Sequence, residues 1–155
     1  MHGKFDSRHA LIALVDEVHR LGGRLKSLFA DARRSVDLGD SELMVLNAVV
    51  EADRPPTVSQ IGRSLGQARQ IVQRAANALE SAQLIEMMTN PDHKRAPLLV
   101  ATAAGTAMKR QADACADAIA ADLAEGFEAP VLAQITTDLH RLRKQLETRM
   151  RGGDN

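Results

Sequence analysis

Apolar residues recur at alternating steps of three and four at both ends of this 155-residue chain, and that spacing limits the possible folds most tightly. Leu11, Leu14, Val18, Leu21, Leu25 and Leu28 form one seam, and Leu132, Ile135, Leu139, Leu142 and Leu146 form another. Steps of three and four line one face of a helix, whereas a strand needs steps of two. Composition agrees. Aromatic residues are 2% of the chain, with no Trp and no Tyr. A core of Ala, Leu, Val, Ile and Met suits packed helices better than a β-sandwich. Gly22 and Gly23 interrupt the first seam and allow a kink or a close helix approach.

The middle of the chain carries shorter elements. Asp40 or Gly39 opens a second helix with Leu43, Leu46 and Val50 on one face, and Arg54-Pro55-Pro56 stops it. Thr57-Val58-Ser59-Gln60 reads as a capping box, in which a threonine hydroxyl and a glutamine side chain exchange hydrogen bonds with each other's backbone. Val58, Ile61 and Leu65 form the buried stripe of this third helix, and Gly66 supplies a turn. A fourth helix, starting near Gln67, has Ala68, Val72, Ala75 and Leu79 on one face. The opposite face carries Gln67, Arg69, Gln70, Gln73, Arg74 and Asn77. Amides and guanidiniums match base edges and phosphates. An ordinary solvated face has the same composition, so the neighbouring elements must decide.

Those neighbours are two short apolar runs, 84–89 and 98–102, joined by Asn90-Pro91-Asp92-His93-Lys94-Arg95-Ala96-Pro97. Turn formers between two such runs predict a β-hairpin with a basic tip. An Ala-rich acidic helix follows from about Ala103 to Glu125 and stops near Gly126. A last helix begins near Pro130, with Arg141, Arg143, Lys144 and Arg149 on its polar side. Residues 151–155 read as a frayed tail.

Twenty basic and twenty acidic residues leave no net charge. Their distribution is uneven. Residues 57–100 hold five basic and three acidic side chains, and residues 101–128 hold two and five. One cysteine excludes an internal disulfide framework, no apolar run reaches membrane-spanning length, and the start shows no signal-peptide pattern. A cytoplasmic protein is expected. No phosphate-binding glycine loop, nucleophile elbow or zinc-protease motif is present, so no enzyme and no cofactor are implied.

Short helices followed by a hairpin make a winged helix-turn-helix: a mainly α fold with a small β wing. One helix enters the major groove of double-stranded DNA, and the wing approaches the adjacent minor groove. Three parts are expected: an N-terminal dimerisation helix over 8–36, the winged DNA-binding domain over 37–102, and C-terminal dimerisation helices over 103–150. The terminal seams exceed what the central core needs. They predict a homodimer with two reading helices about 34 Å apart, in preference to a bundle closed within one chain. The other class of function is a winged ligand- or protein-binding module that does not contact DNA.

The chain resembles the MarR family of transcriptional regulators over essentially its whole length. The matching stretches are Leu38-Gly39-Asp40-Ser41-Glu42-Leu43-Met44-Val45-Leu46, then residues 57–66, then Arg69-Gln70-Ile71-Val72-Gln73-Arg74, then Leu79 and Leu84-Ile85-Glu86. The most specific element is the run from Asn90 to Leu99 with its trailing Thr102-Ala103-Ala104-Gly105. The resemblance implies a homodimer that binds a pseudo-palindromic operator, commonly as a repressor, and in many members answers to a small lipophilic or phenolic effector or to oxidants. It gives Arg69, Gln70, Gln73 and Arg74 the reading face, and Arg95 the minor-groove contact beside His93 and Lys94. Thr57, Ser59 and Gln60 at the helix start are expected near the DNA backbone. There are departures. Asp92 lies one residue earlier than the family's Asp-x-Arg spacing. Gly39 to Leu43 replaces a common Thr-x-x-Gln followed by an aromatic. Ala68 replaces a frequent serine.

Other residues carry weaker signals. Cys115 reads as a small helix residue rather than an oxidant sensor. His2, His9, His19, His93 and His140 lack metal-ligand spacing, although a dimer could bring His9 and His140 together. Met44, Met87, Met88 and Met108 read as core fillers before they read as the lining of a ligand pocket.

Overall fold

The computed structural model describes residues 9–151, so His2 and the tail from residue 152 lie outside the described residues. Among the described residues seven α-helices and two strands follow in the order α1 (Ala10–Leu28), α2 (Ala30–Arg34), α3 (Asp40–Val50), α4 (Val58–Leu65), α5 (Arg69–Ser81), β1 (Ile85–Met88), β2 (Leu98–Ala101), α6 (Ala103–Leu123) and α7 (Ala129–Arg151). A single 3₁₀ turn, Ala124–Gly126, joins the last two helices.

The N-terminal helix is two helices, not one. α1 runs unbroken through Gly22 and Gly23 and ends at Phe29, whose N–H still reaches Leu25 O but whose backbone has left the helical region (ψ 16°). α2 then turns the chain towards α3. Asp40 at the start of α3 receives Lys26 at 3.0 Å and Arg33 at 3.2 Å, tying the three helices together. The Lys26 hydrogen bond outweighs desolvation and, with the charges of Lys26 and Arg33, holds the Asp40 carboxyl below its ordinary value.

Local signals position the central helices. At α4 the expected capping box forms: Gln60 N–H donates to Thr57 Oγ1 (3.3 Å), and Thr57 N–H donates to Gln60 Oε1 (2.8 Å). Gly66 ends α4 in the left-handed region (φ 64°), which lets the chain reverse into α5. At its far end α5 closes on a Schellman motif. Leu84 N–H reaches Leu79 O and Gln83 N–H reaches Glu80 O, with Gln83 itself left-handed (φ 59°). That turn aims the chain directly into β1.

β1 and β2 pair antiparallel, Ile85 opposite Ala101 and Met88 opposite Leu98. A further bond, Leu99 N–H to Pro56 O at 2.8 Å, ties the hairpin to the segment before α4. The core lies under these elements: Val45, Leu46, Val49, Val58, Ile61, Val72, Ala75, Ala76, Leu79, Leu84, Ile85 and Leu99 are all buried. A second small cluster of Val36, Leu43 and Ala112 joins the first half of α6 to α2 and α3. Beside it Lys109, 7% exposed, bridges Glu51 at the end of α3 (3.1 Å) and Asp113 (2.5 Å). Burial disfavours its charge, but the hydrogen bonds and charges of the two carboxylates outweigh that and raise its pKa.

The terminal helices are different. α1 has no buried residue, and α7 is exposed along nearly its whole length. Among the described residues, thirteen of the seventeen large hydrophobic side chains that stay exposed belong to these two helices. Ile12 and Val15 join Leu11, Val18, Leu21, Leu25 and Leu28 on α1, and Val131 and Met150 join Leu132, Ile135, Leu139 and Leu146 on α7. Leu14 and Leu142 are half-buried. No helix among the described residues is long and apolar enough to cross a membrane.

Candidate nucleic-acid interface

α5 presents its inner face through Val72, Ala75, Ala76 and Leu79, each at most 4% exposed. With that face fixed against α3 and α4, the helical period turns Gln70, Arg74 and Asn77 outward, and all three are exposed. Gln73 is half-buried and its amide donates to Asn77 Oδ1 at 2.9 Å. The bond fixes the two amides against each other and leaves Gln73 Oε1 and Asn77 Nδ2 without a partner among the described residues. Arg69, the first residue of the helix, is exposed as well.

Gln67 departs from its expected place on the outer face of this helix. It lies in the turn before α5, because Gly66 reverses the chain and Ala68 is extended (φ −61°, ψ 138°). Its amide is turned inward towards the Met44 sulfur at 3.6 Å, and its oxygen is buried without a partner. Ala68 caps the helix without any side-chain hydrogen bond, so the departure from serine leaves the helix start open. At the start of α4, Thr57 and Gln60 spend their polar atoms on each other, while Ser59 is half-buried on the first turn.

The wing tip is organised by a residue that looks, by sequence, like a mere turn former. Asn90, 7% exposed, donates from Nδ2 to Ala96 O (2.9 Å) and accepts from Asp92 N–H (3.0 Å). It clamps both sides of the loop from inside. His93, Lys94 and Arg95 are therefore pushed outward, all exposed. Asp92 reaches no cation, so the altered acid spacing leaves Arg95 unpaired among the described residues. An Asn before Pro in a tight loop is the signal that could have identified the clamp.

Arg63, Arg69, Arg74, Lys94 and Arg95 are all exposed, and none makes an ion pair among the described residues. Elsewhere Lys26, Arg33, Arg34, Lys109, Arg141, Arg143 and Lys144 are paired with carboxylates, whereas Arg20, Arg24, Arg54, Arg110 and Arg149 make no ion pair among the described residues. The winged segment thus offers free positive charge beside fixed amides. A cleft of about 730 Å³ opens next to this surface, between the α4–α5 turn (Arg63, Leu65, Arg69) and the last turns of α7 (Arg143, Leu146, Met150).

The remaining candidates do not converge. Met87 and Met108 pack against the core, as fillers, while Met44 and Met88 are 40% and 52% exposed. Cys115 is half-buried on α6. His9 caps α1, its Nδ1 accepting from Leu11 N–H at 3.2 Å. Among the described residues no three His, Cys, Asp or Glu side chains come together as a metal site.

Comparison with known proteins agrees with this geometry. A family model described as MarR family matches residues 36–96. An uncharacterised protein of Mycobacterium tuberculosis, Rv2011c, is 39% identical over 97 residues, covering 59% of this chain and 68% of its own length. Two solved structures share the fold. CouR from Rhodococcus jostii RHA1, bound to p-coumaroyl-CoA, superposes with a TM-score of 0.73 at 20% identity, over 88% of this chain and 96% of its own. A cysteine-to-serine mutant of MarR from Escherichia coli, complexed with operator DNA, gives 0.70 at 20% identity, over 85% and 94%.

Proposed function

The chain belongs to the MarR family, and from that premise we propose that it is a sequence-specific DNA-binding transcriptional regulator, a repressor that grips a pseudo-palindromic operator as a homodimer. The observation that carries this reading is the set of five unpaired cations around the outward amides of α5. Charges kept free of internal partners cost solubility nothing and are ready for phosphates.

Each part of the surface has a role in this mechanism. Gln70, Gln73, Arg74 and Asn77 read base edges in the major groove, where amides and guanidiniums form paired hydrogen bonds. Arg69 and the uncapped N–H groups at the start of α5 meet a phosphate, because a helix N-terminus favours an anion. Thr57, Ser59 and Gln60 lie close to the backbone of the duplex. Arg95, with His93 and Lys94, enters the minor groove from the wing.

Homodimerisation joins the three proposed parts of the chain: the N-terminal helices, the winged domain over 37–102 and the C-terminal helices. The apolar faces of α1 and α7 cover one another across a two-fold axis, which removes most of the exposed hydrophobic side chains from water at about 25 cal/mol per Å². The structure of CouR was solved with a CoA thioester of a phenolic acid. A small lipophilic or phenolic effector is proposed here too, lodged in the cleft between α7 and the reading helix, from which it would move one against the other.

The test is a gel-shift titration of the purified protein against DNA flanking its own gene, with scrambled competitor, at two salt concentrations. A competitor-resistant complex at dimer stoichiometry, with log affinity falling linearly in log salt, is the expected result. A stable dimer that binds no DNA at moderate salt would replace this reading with a winged module for a ligand or protein.

A further inference from the structure

We propose that Ile71 is a specificity residue that reads the C5-methyl group of a thymine in the major groove. The inference rests on the DNA-binding reading above and adds an apolar contact to its polar ones.

Among the described residues, four large hydrophobic side chains stay exposed outside the terminal helices: Met44, Ile71, Met88 and Phe127. Three have a structural setting. Met44 accepts the Gln67 amide, Met88 ends β1, and Phe127 follows the turn between α6 and α7. Ile71 has none. It sits in the first turn of α5, 47% exposed, while Val72 beside it is fully buried. Single exposed apolar residues are ordinary on protein surfaces, and it is the position of this one that carries meaning. Ile71 adjoins Gln70 in the chain, and Arg74, three residues on, is its neighbour along the helix. Both polar side chains face outward.

Local stability does not account for isoleucine at this place. A β-branched residue is a poorer helix former than Gln, Arg or Lys, and this one adds nothing to the core. The major groove supplies the missing partner. Among the base edges there, thymine alone offers an apolar group, and apolar side chains contact it. Gln70 and Arg74 flank Ile71 with hydrogen-bonding groups, so a thymine read by Ile71 lies among bases or phosphates that they hold. A methyl buried in this way contributes about threefold to fivefold in affinity.

The experiment starts by enriching binding sites from a random DNA library with the full-length protein. Each thymine of the enriched half-site is then replaced, one at a time, by deoxyuridine, which lacks only the methyl. Binding is measured for wild type, Ile71→Ala and Ile71→Val, with melting curves confirming that all three are folded. At one thymine per half-site, uracil should weaken wild type about threefold to fivefold, weaken Ile71→Val measurably and leave Ile71→Ala unchanged. The proposal is overturned if no uracil substitution affects wild type, or if Ile71→Ala loses the same factor as wild type. In that case Arg74→Ala still losing the enriched site would show that the DNA-binding reading stands alone. A library in which nothing is enriched would remove both.

Discussion

Replacing Gly105 by alanine should separate the wing from α6. Gly105 lies in the first turn of α6, where its backbone presses on the chain leading into β1. A Cβ there would fall within the van der Waals envelope of the Leu84 carbonyl oxygen, 3.0 Å from Leu84 C and 3.3 Å from Leu46 Cδ1. Neither Leu84 backbone atom can swing away as a side-chain tip would. Leu84 O already accepts Thr102 N–H at 3.0 Å, and Leu84 N–H is held by Leu79 O. The helix start must therefore move. That strains the cap in which Thr102 Oγ1 accepts Gly105 N–H (3.0 Å) while donating to Gln83 O (2.8 Å). Overpacking of a tight site costs about 1–3 kcal/mol, and a weakened N-cap adds about 1 kcal/mol. Alanine's better helix propensity returns just under ~1 kcal/mol. The net loss is about 1–3 kcal/mol, which for a domain of this size lowers Tm by about 2–12 °C. Thermal melts of wild type and Gly105→Ala at one fixed protein concentration measure it, since association makes Tm depend on concentration. A variant melting within about 1 °C of wild type would refute the claim that this contact, rather than helix capping alone, requires glycine.

Three further outcomes follow from the same structure. Lys109→Ala should cost about 1–3 kcal/mol in urea unfolding, through its lost stem packing and its bonds to Glu51 and Asp113. Because the folded pKa of Lys109 is raised above 10.5, the ionic part of that difference is complete below pH 10.5 and vanishes as pH climbs through the raised value; a difference that instead grew with alkali would contradict the assignment. Arg95→Ala should weaken DNA binding and reduce the salt slope by about 1 in gel shifts, with the larger loss on sites that are A·T-rich where the wing meets the minor groove, whereas unchanged affinity and slope would place Arg95 away from the duplex. Leu21→Glu combined with Leu139→Glu should halve the mass seen by analytical ultracentrifugation while leaving the winged core folded, and a persisting dimer would show that α1 and α7 are not its seam.

The features legible in the sequence are those whose cause is local. Thr57 and Gln60 are three residues apart and make their capping box wherever the rest of the chain goes. Gly66 ends a helix by its own backbone freedom. The hairpin is set by Asn90, Pro91 and Pro97 between two short apolar runs. Features caused by distant contacts were not legible. The chain breaks at Phe29 rather than at Gly22, because α2 must turn back to bring Arg33 to Asp40, and no propensity encodes that meeting. Lys109 reads as one more surface cation until α6 is laid beside Glu51, fifty-eight positions earlier in the chain. Gln67 looks like a reading residue on a helical wheel, yet the wheel does not apply before the helix begins.

The apolar seams lie between these cases. Their spacing announces helices, but it does not say what they pack against, and in one copy of the chain Leu11, Val18, Leu139 and Leu146 pack against little. The broadening of the α1 stripe by Ile12 and Val15 matters here. A strict three-four seam suits a narrow coiled coil, whereas a wider face suits a helix wedged between two others. A dimer in which α1 of one subunit lies between helices of both would use that width. It would also fix the separation of the two α5 helices, and so the spacing of operator half-sites, through residues that never approach DNA.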